Sequence, residues 1–375
     1  MTDTTNQIQP EQARPELDTL RVGVIGVGWA GNQHMAAYDA APGVELAGIA
    51  GLEDAVRADL AQRYGVEHHV ARWEELLELD GLDAVSVAVP TFLHARITNA
   101  ALERGLHVLC EKPMAKSVEE AAGMVEAART AGRVLHVAFN HRERGDIQKL
   151  KEVIDAGRLG RPYYAKAWWL RRSGIPTLGS WFTRSELAGG GPLLDIGVHV
   201  LDYSLFLLGH PAITAVSAST YDLLGTAGFG SDPESGKSGA TDATTFDVED
   251  LATVFMRLQD GGTLLVEASW AAHRSDQDEF GITIYGTDGG AELIVRDMEP
   301  SGSLRIFTDD GGVPAETRLT APAGRGHKTV AERFVAAIRS GAWEGHDGAG
   351  AAELARVVDA CYRSAADRRE IRLAG

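Results

Sequence analysis

Arg21-Val22-Gly23-Val24-Ile25-Gly26-Val27-Gly28-Trp29-Ala30-Gly31 is the stretch that decides the fold. A short β-branched run ends in three glycines spaced G-x-G-x-x-G. A helical pattern follows to Ala40, and Val44–Ala50 (VELAGIA) reads as a second buried strand. Strand, glycine turn, helix and strand within about 30 residues make a dinucleotide-binding βαβ unit. The three glycines serve different needs. Gly26 makes the tight turn, Gly28 lets a pyrophosphate approach the backbone, and Gly31 lets helix and strand pack closely. The helix N-terminus, beginning with Trp29 and Ala30, then presents its unpaired N–H groups to the phosphates.

The pattern continues outward. Residues 56–64, 94–104 and 118–131 read as helices, and 84–89, 108–110 and 134–139 as buried strands. Such alternation predicts a parallel, doubly wound sheet with its ligand beyond the carboxyl ends of the strands. Pro90-Thr91-Phe92-Leu93-His94 and Glu111-Lys112-Pro113 both fall at strand ends. Lys112 precedes a proline, so its backbone is extended. Beside a nicotinamide cofactor it would stabilise a developing alkoxide, and a solvated surface lysine is the alternative. His94 either touches the cofactor or only begins a helix.

After about Asn140 the pattern changes. Residues 147–156 form a helix closed by Gly157. Pro162–Arg171 is a strand with Trp168 and Trp169 on opposite faces. Further strands are expected at 213–220, 251–258, 263–270, 280–285, 291–295, 304–307 and 316–319. Asp260-Gly261-Gly262 and Asp309-Asp310-Gly311-Gly312 are hairpin turns. Helices at 328–340 and 351–366 close the chain, and residues 225–245, rich in Gly, Ser, Asp and Thr, read as a mobile loop. The expected organisation is a disordered leader at 1–20, a Rossmann domain at 21–142, and an α/β domain at 143–375 for substrate binding and oligomerisation. That domain is built on a large, mainly antiparallel open sheet.

One helix of the second half is unusual. After Gly189-Gly190-Gly191, Pro192 opens a segment that is apolar nearly all round: Leu193, Leu194, Ile196, Val198, Val200, Leu201, Leu205, Phe206 and Leu207. Such a helix is buried. Yet Asp195, His199 and Asp202 stand at i, i+4 and i+7, on one face. A buried polar stripe is costly unless it is paired or lines a polar cavity. His199 is the natural acid/base, since an unperturbed imidazole titrates near neutrality. A structural polar stripe is the alternative. Gly197 lies on the opposite face, suited to close packing. Arg142, Arg144, Arg172, Trp181, Trp270 and His273 are weaker candidates for substrate contacts, with ion pairs or core packing as their alternatives.

The formal net charge of −17 argues against nucleic-acid and anionic-membrane partners. No apolar run approaches the ~18 residues of a membrane span. Residues 1–20 lack the apolar core of a signal peptide. Two distant cysteines, Cys110 and Cys361, suit a reducing cytoplasm. No metal is expected, because neither the cysteines nor the His68-His69 pair has ligand spacing.

Four motifs in order, the glycine fingerprint, Pro90 to His94, Glu111-Lys112-Pro113, and Gly190 to His199 followed by Asp202, resemble the Gfo/Idh/MocA family. The resemblance implies an NAD(P)-dependent oxidoreductase acting on a ring hydroxyl of a sugar, glycoside or inositol-like polyol, assembled as a homodimer or homotetramer. Carried over, Lys112, Asp195 and His199 are the catalytic set. His199 would be the acid/base, Lys112 would polarise the reacting oxygen, and Asp195 would position His199 and the substrate. The cofactor would lie against Gly26, Gly28, Trp29, Ala30, Gly31, Gly51, Leu52, Pro90, Thr91, His94, Glu111 and Lys112. The substrate would meet Lys112, Arg172, Trp181, Asp195, His199 and His273.

Where NAD-preferring members carry an acidic residue after the second strand, this chain has Gly51, then Leu52, Glu53 and Asp54. No basic cluster stands there for a 2′-phosphate, so NAD(H) is favoured over NADP(H), with Arg57 as the residue able to reverse this. Two other readings are an NAD-dependent glycosidase or lyase using transient C3 oxidation, and a non-catalytic dinucleotide sensor.

Overall fold

A computed structural model describes residues 19–229, 231–232 and 246–373. The first half contains β1 (Leu20–Ile25), α1 (Trp29–Asp39), β2 (Val44–Ala50), α2 (Asp54–Tyr64), β3 (His69–Val70) and α3 (Trp73–Leu77). It continues with β4 (Ala84–Val87), α4 (His94–Glu103), β5 (His107–Cys110), α5 (Val118–Ala131) and β6 (Leu135–Val137). Six parallel strands lie in the order β3-β2-β1-β4-β5-β6. The strand order reverses between β1 and β4, so the ligand crevice belongs at their carboxyl ends. Leu20, inside the stretch expected as leader, already begins β1 and is fully buried. Residues 1–18 lie outside the described ones. The short β3 and α3 were not foreseen, because two and five residues are too few to show a period.

The second half begins with α6 (Gly145–Asp155) and β7 (Pro162–Arg171), then β8 (Ile175–Pro176) and α7 (Ser185–Ala188). A π-turn at Leu193–Gly197 leads into α8 (Val198–Leu207). Next come β9 (Ile213–Tyr221), α9 (Leu223–Thr226), β10 (Ser231–Asp232), β11 (Leu251–Leu258) and β12 (Thr263–Ser269). The remaining elements are β13 (Asp278–Gly286), β14 (Gly290–Arg296), β15 (Ser303–Asp310), β16 (Val313–Leu319), α10 (His327–Ser340), α11 (Ala349–Asp367) and β17 (Ile371–Arg372). Nine strands form one sheet in the order β16-β15-β14-β13-β7-β12-β11-β9-β17. Only the β7–β12 pair is parallel.

The expected loop at 225–245 is ordered at its start. Gly225 lies in α9 against Phe246, and β10 pairs with β8. Residues 230 and 233–245 lie outside the described ones.

Side chains alternate across the sheet, as the two-residue strand period requires. The inner face carries Ala165, Ala167, Trp169, Val254, Met256, Leu264 and Val266, all buried. It packs under α6, the π-turn and α8. Gly197 fits this seam, since a Cβ there would lie 3.0 Å from the Cβ of Ala268. Trp168 and Trp169 do face opposite ways. Trp169 is buried, while Trp168 shares the outer face with Lys166, Glu267 and Thr283.

The chain then returns to its first half. The apolar face of α10 (Val330, Phe334, Val335 and Ile338) joins a core cluster with Val24, Met35, Tyr38 and Ile49. α11 packs against both α5 and β9. These two helices clamp the sheets together, which places the crevice of the first against the inner face of the second.

Candidate active site

The glycine loop is shaped by contacts no side chain would allow. Gly26 has φ +112°, and a Cβ on it would lie 2.0 Å from the carbonyl oxygen of Ala88. A Cβ on Gly31 would lie 1.9 Å from the carbonyl oxygen of Gly26, so the helix packs directly on the turn. Around Gly28, by contrast, no heavy atom lies within 4 Å of such a Cβ. The backbone there is open to the crevice, as a pyrophosphate cradle requires. Trp29 stands beside it, 69% exposed.

Gly51 has a steric reason to lack a side chain, since its Cβ would sit 2.6 Å from Val27 Cγ1. Leu52 and Glu53 are exposed. Arg57 folds back, donating to the Gly51 carbonyl and, at 2.6 Å, to the Asp54 carboxylate. Thr91 is buried in the short turn after Pro90. His94 starts α4, and its ring nitrogens lie 2.8 Å from the carbonyls of Pro113 and Val89. It therefore braces the two strand-end segments.

Lys112 reaches across to the second half. Its Nζ donates to Asp195 Oδ1 at 2.9 Å and to the Asp195 carbonyl at 3.1 Å. Trp270 Nε1–H, fully buried at the end of β12, donates to Asp195 Oδ2 at 3.0 Å. Asp195 thus has partners on both carboxylate oxygens. Both members of the Lys112–Asp195 pair remain partly open, 19% and 16% exposed, so a ligand can reach them.

His199 is buried against His141, with ring centroids 4.5 Å apart, and against Trp169 at 5.8 Å. His141 in turn packs on Trp169 and Phe280. The Nδ1 atoms of both histidines are buried without a hydrogen-bond partner among the described residues. Burial holds both imidazoles well below their ordinary pKa, reinforced for His199 by His141 and then Lys112, and for His141 by Arg144 and then Lys112. Both are neutral at pH 7. His141 escaped the sequence reading because it stands in a short irregular turn after β6. No period marks it there; only the neighbouring Arg142 and Arg144 drew notice.

The expected polar stripe divides three ways. The i→i+5 turn at Leu193–Gly197 breaks the 100° spacing on which the single face was counted. Asp195 goes to Lys112 and Trp270. His199 goes into the aromatic stack. Asp202 pairs bidentately with Arg142, so both of those are structural. Burial raises the Asp202 carboxyl, and the Arg142 charge opposes that shift.

Glu249 is a second residue the sequence did not signal. Its buried carboxylate accepts from the N–H groups of Gly191 and Leu193 and from Tyr362 Oη–H, which caps the helix start with negative charge. A Cβ on Gly191 would lie 2.1 Å from the Glu249 carbonyl oxygen, and one on Gly190 2.0 Å from Tyr362 Oη. Gly190 and Gly191 are thus required for this seat.

Three expected substrate residues lie in neighbouring loops. Arg172 donates to the Arg274 carbonyl, and its own carbonyl accepts from Ala272 N–H. His273, three residues past Trp270, packs against Phe229 at 4.9 Å. Trp181 stacks on Phe182 at 3.7 Å. Glu111 is buried: its Oε1 lies 3.0 Å from His34 Nε2 and 3.2 Å from His327 Nε2, and its Oε2 accepts from Lys112 N–H.

Residues 20–139 match the GFO_IDH_MocA oxidoreductase family with its NAD-binding Rossmann fold, and residues 147–292 match the GFO/IDH/MocA C-terminal domain. A D-glucoside 3-dehydrogenase of Escherichia coli (strain K12) is 35% identical over 297 residues, covering 78% of this chain and 80% of that protein. A levoglucosan dehydrogenase of Pseudarthrobacter phenanthrenivorans is 31% identical over 317 residues, covering 78% of each. The structure of a levoglucosan dehydrogenase in complex with NADH and levoglucosan superposes with a TM-score of 0.80 at 26% identity, over 95% of this chain and all of the other. With both domains matched in order and the fold shared over 95% of its length, the chain belongs to the Gfo/Idh/MocA family of oxidoreductases.

Proposed function

We propose that this protein is an NAD-dependent dehydrogenase for a ring hydroxyl of a sugar, glycoside or inositol-like polyol. The observation that carries the reading is the Lys112–Asp195 pair at the junction of crevice and sheet, one helical turn from a buried, neutral His199. The relatives named for glucosides and levoglucosan supply the substrate class.

Gly26, Gly28, Trp29, Ala30, Gly31, Gly51 and Leu52 would hold a nicotinamide cofactor, which when bound would supply the hydride acceptor or donor. The protein's own side chains handle the proton. His199, kept neutral by burial, accepts the hydroxyl proton. Lys112 Nζ donates a hydrogen bond to the same oxygen and stabilises its developing negative charge. Asp195 holds Lys112, and Trp270 holds Asp195. Asp195 is thus proposed to position Lys112, where the resemblance implied that it would position His199 and the substrate. Trp169 and Phe280 exclude water behind the two imidazoles. Arg172, Trp181 and His273 are proposed as rim contacts that select the substrate.

NAD(H) is preferred because Asp54 already neutralises the cation that would hold a 2′-phosphate, Arg57. The outer face of the nine-stranded sheet, uncovered in one chain and bearing Trp168, Phe255 and Leu265, is the proposed surface for a homodimer or homotetramer. A cytoplasmic location accords with the two free, buried cysteines. No helix among the described residues is long and apolar enough to cross a membrane.

The test is NAD⁺ reduction with methyl β-D-glucopyranoside and with levoglucosan, alongside Lys112→Ala and His199→Ala. Each variant should lose about 10³-fold in kcat while retaining NADH binding by calorimetry. Wild-type rates in both variants would refute the mechanism. Release of alcohol from the glucoside without net NADH would instead select glycosidase chemistry.

A further inference from the structure

We propose that His34, Glu111 and His327 form a binding site for one divalent transition-metal ion, best matched by zinc, that clips the start of α10 to the Rossmann half. The three residues come from α1, the segment after β5, and the first position of α10. All three are buried. One ring nitrogen of His34, one of His327 and one carboxylate oxygen of Glu111 lie within 4.8 Å of one another.

The donor set is chemically apt. Two imidazoles and a carboxylate are a recognised zinc triad that leaves a fourth position open. Metal–ligand bonds of about 2.0–2.1 Å place tetrahedral ligands about 3.3–3.4 Å apart. The Glu111 oxygen already lies 3.0 and 3.2 Å from the two nitrogens. Both rings present the same atom, Nε2, to the shared centre.

Outer contacts orient two of the three ligands, as metal sites require. Lys112 N–H donates to the other Glu111 oxygen at 3.1 Å, and the Asn140 side-chain amide, whose nitrogen lies 3.4 Å from His327 Nδ1, can turn its oxygen to accept the ring N–H that a metal at Nε2 leaves there. The His327 ring lies edge-on to the exposed Trp29, 5.2 Å between centroids. As hydrogen bonds alone, the same contacts need one carboxylate oxygen to take two N–H groups. A dication replaces both protons and offsets the carboxylate in a site largely closed to water. The clip would fasten α10, whose apolar face completes the first core, and would fix the Glu111-Lys112-Pro113 segment from behind.

The readout does not depend on turnover. Full-length, tag-free protein is dialysed against chelator and titrated with zinc chloride by calorimetry, with the melting temperature followed in parallel. One equivalent per chain should bind, and the melting temperature should rise by several degrees. Cobalt(II) in place of zinc should give the intense visible bands of a four-coordinate site, which reads the ligands without any variant. His34→Gln and His327→Gln each keep an N–H donor for Glu111 but remove a ring ligand. Each should weaken zinc by more than about 100-fold, beyond the loss seen for an outer partner alone. Absence of stoichiometric zinc in the wild type would make the cluster a hydrogen-bonded brace only and overturn the proposal. Undiminished zinc affinity in both variants would place the ion elsewhere and overturn it equally.

Discussion

Lowering the pH from 7.0 to 5.5 should cost the fold up to about 2.5 kcal/mol through His141 and His199 alone. Both imidazoles are held well below 6.5, first by burial and then by neighbouring charges, so the folded chain resists protonating them as the pH falls. In the unfolded chain they titrate near 6.5 and take up protons as the pH falls. A lowered folded pKa therefore leaves stability intact above 6.5 and erodes it as the pH drops from there toward the folded value. Over 7.0 to 5.5 each group contributes at most about 1.2 kcal/mol, the limit that the unfolded reference sets. Asp202, Glu249 and Asp250, whose carboxyls burial raises, pull the other way. A double variant, His141→Gln with His199→Gln, keeps those acids and removes only the imidazoles. Urea unfolding of both proteins at the two pH values isolates the difference. The wild type should lose up to about 2.5 kcal/mol more than the variant. Equal losses would mean that the imidazoles are not neutral in the fold, and would remove the basis for His199 as a proton acceptor.

Three other outcomes follow from single contacts. Trp270→Phe deletes the N–H donated to Asp195; it should lower stability by about 2–3 kcal/mol and kcat by about 10-fold with little change in KM, and an unchanged kcat would mean that Asp195 needs no such anchor. Asp54→Ala frees the Arg57 guanidinium and should raise the NADP⁺ to NAD⁺ ratio of kcat/KM by about 10-fold; a constant ratio would remove Arg57 from cofactor choice. Gly31→Ala forces a Cβ against the Gly26 carbonyl and should cost about 3 kcal/mol in thermal unfolding and abolish NADH binding, whereas normal binding would show that the turn can relax.

Local pattern carried most of the architecture. The βαβ unit, the alternation that follows it and the hairpin turns all concern neighbours within about 20 residues, where hydrophobic period and glycine stereochemistry act directly. Gly26 and Gly31 stand where close backbone contacts leave no room for a side chain, and Gly28 where the backbone is open. The strands of the second half were legible for the same reason, although their order in the sheet was not. Elements too short to show a period, β3, α3, β8 and β17, were invisible.

The site was legible as a set of residue types and not as a set of partners. Asp195 and His199 stood out because polar groups in an apolar helix must be compensated, and Lys112 because it ends a strand before a proline, beside the expected cofactor. Which charge compensates which depends on contacts between residues far apart in sequence. Lys112 takes Asp195, Arg142 takes Asp202, Trp270 reaches back to Asp195, and Glu249 caps a helix more than fifty residues before it. His141 carried no local mark at all.

By itself, then, the sequence determined a Rossmann half followed by a sheet half and named the charged residues at their junction, since periodicity, turn chemistry and the cost of burying charge are properties of short stretches. Only the tertiary structure decided the pairing. The π-turn at Leu193–Gly197 re-aims Asp195 away from the helical face, and the return of α10 brings His327 to His34 and Glu111. Both depend on long-range packing, which no spacing along the chain encodes.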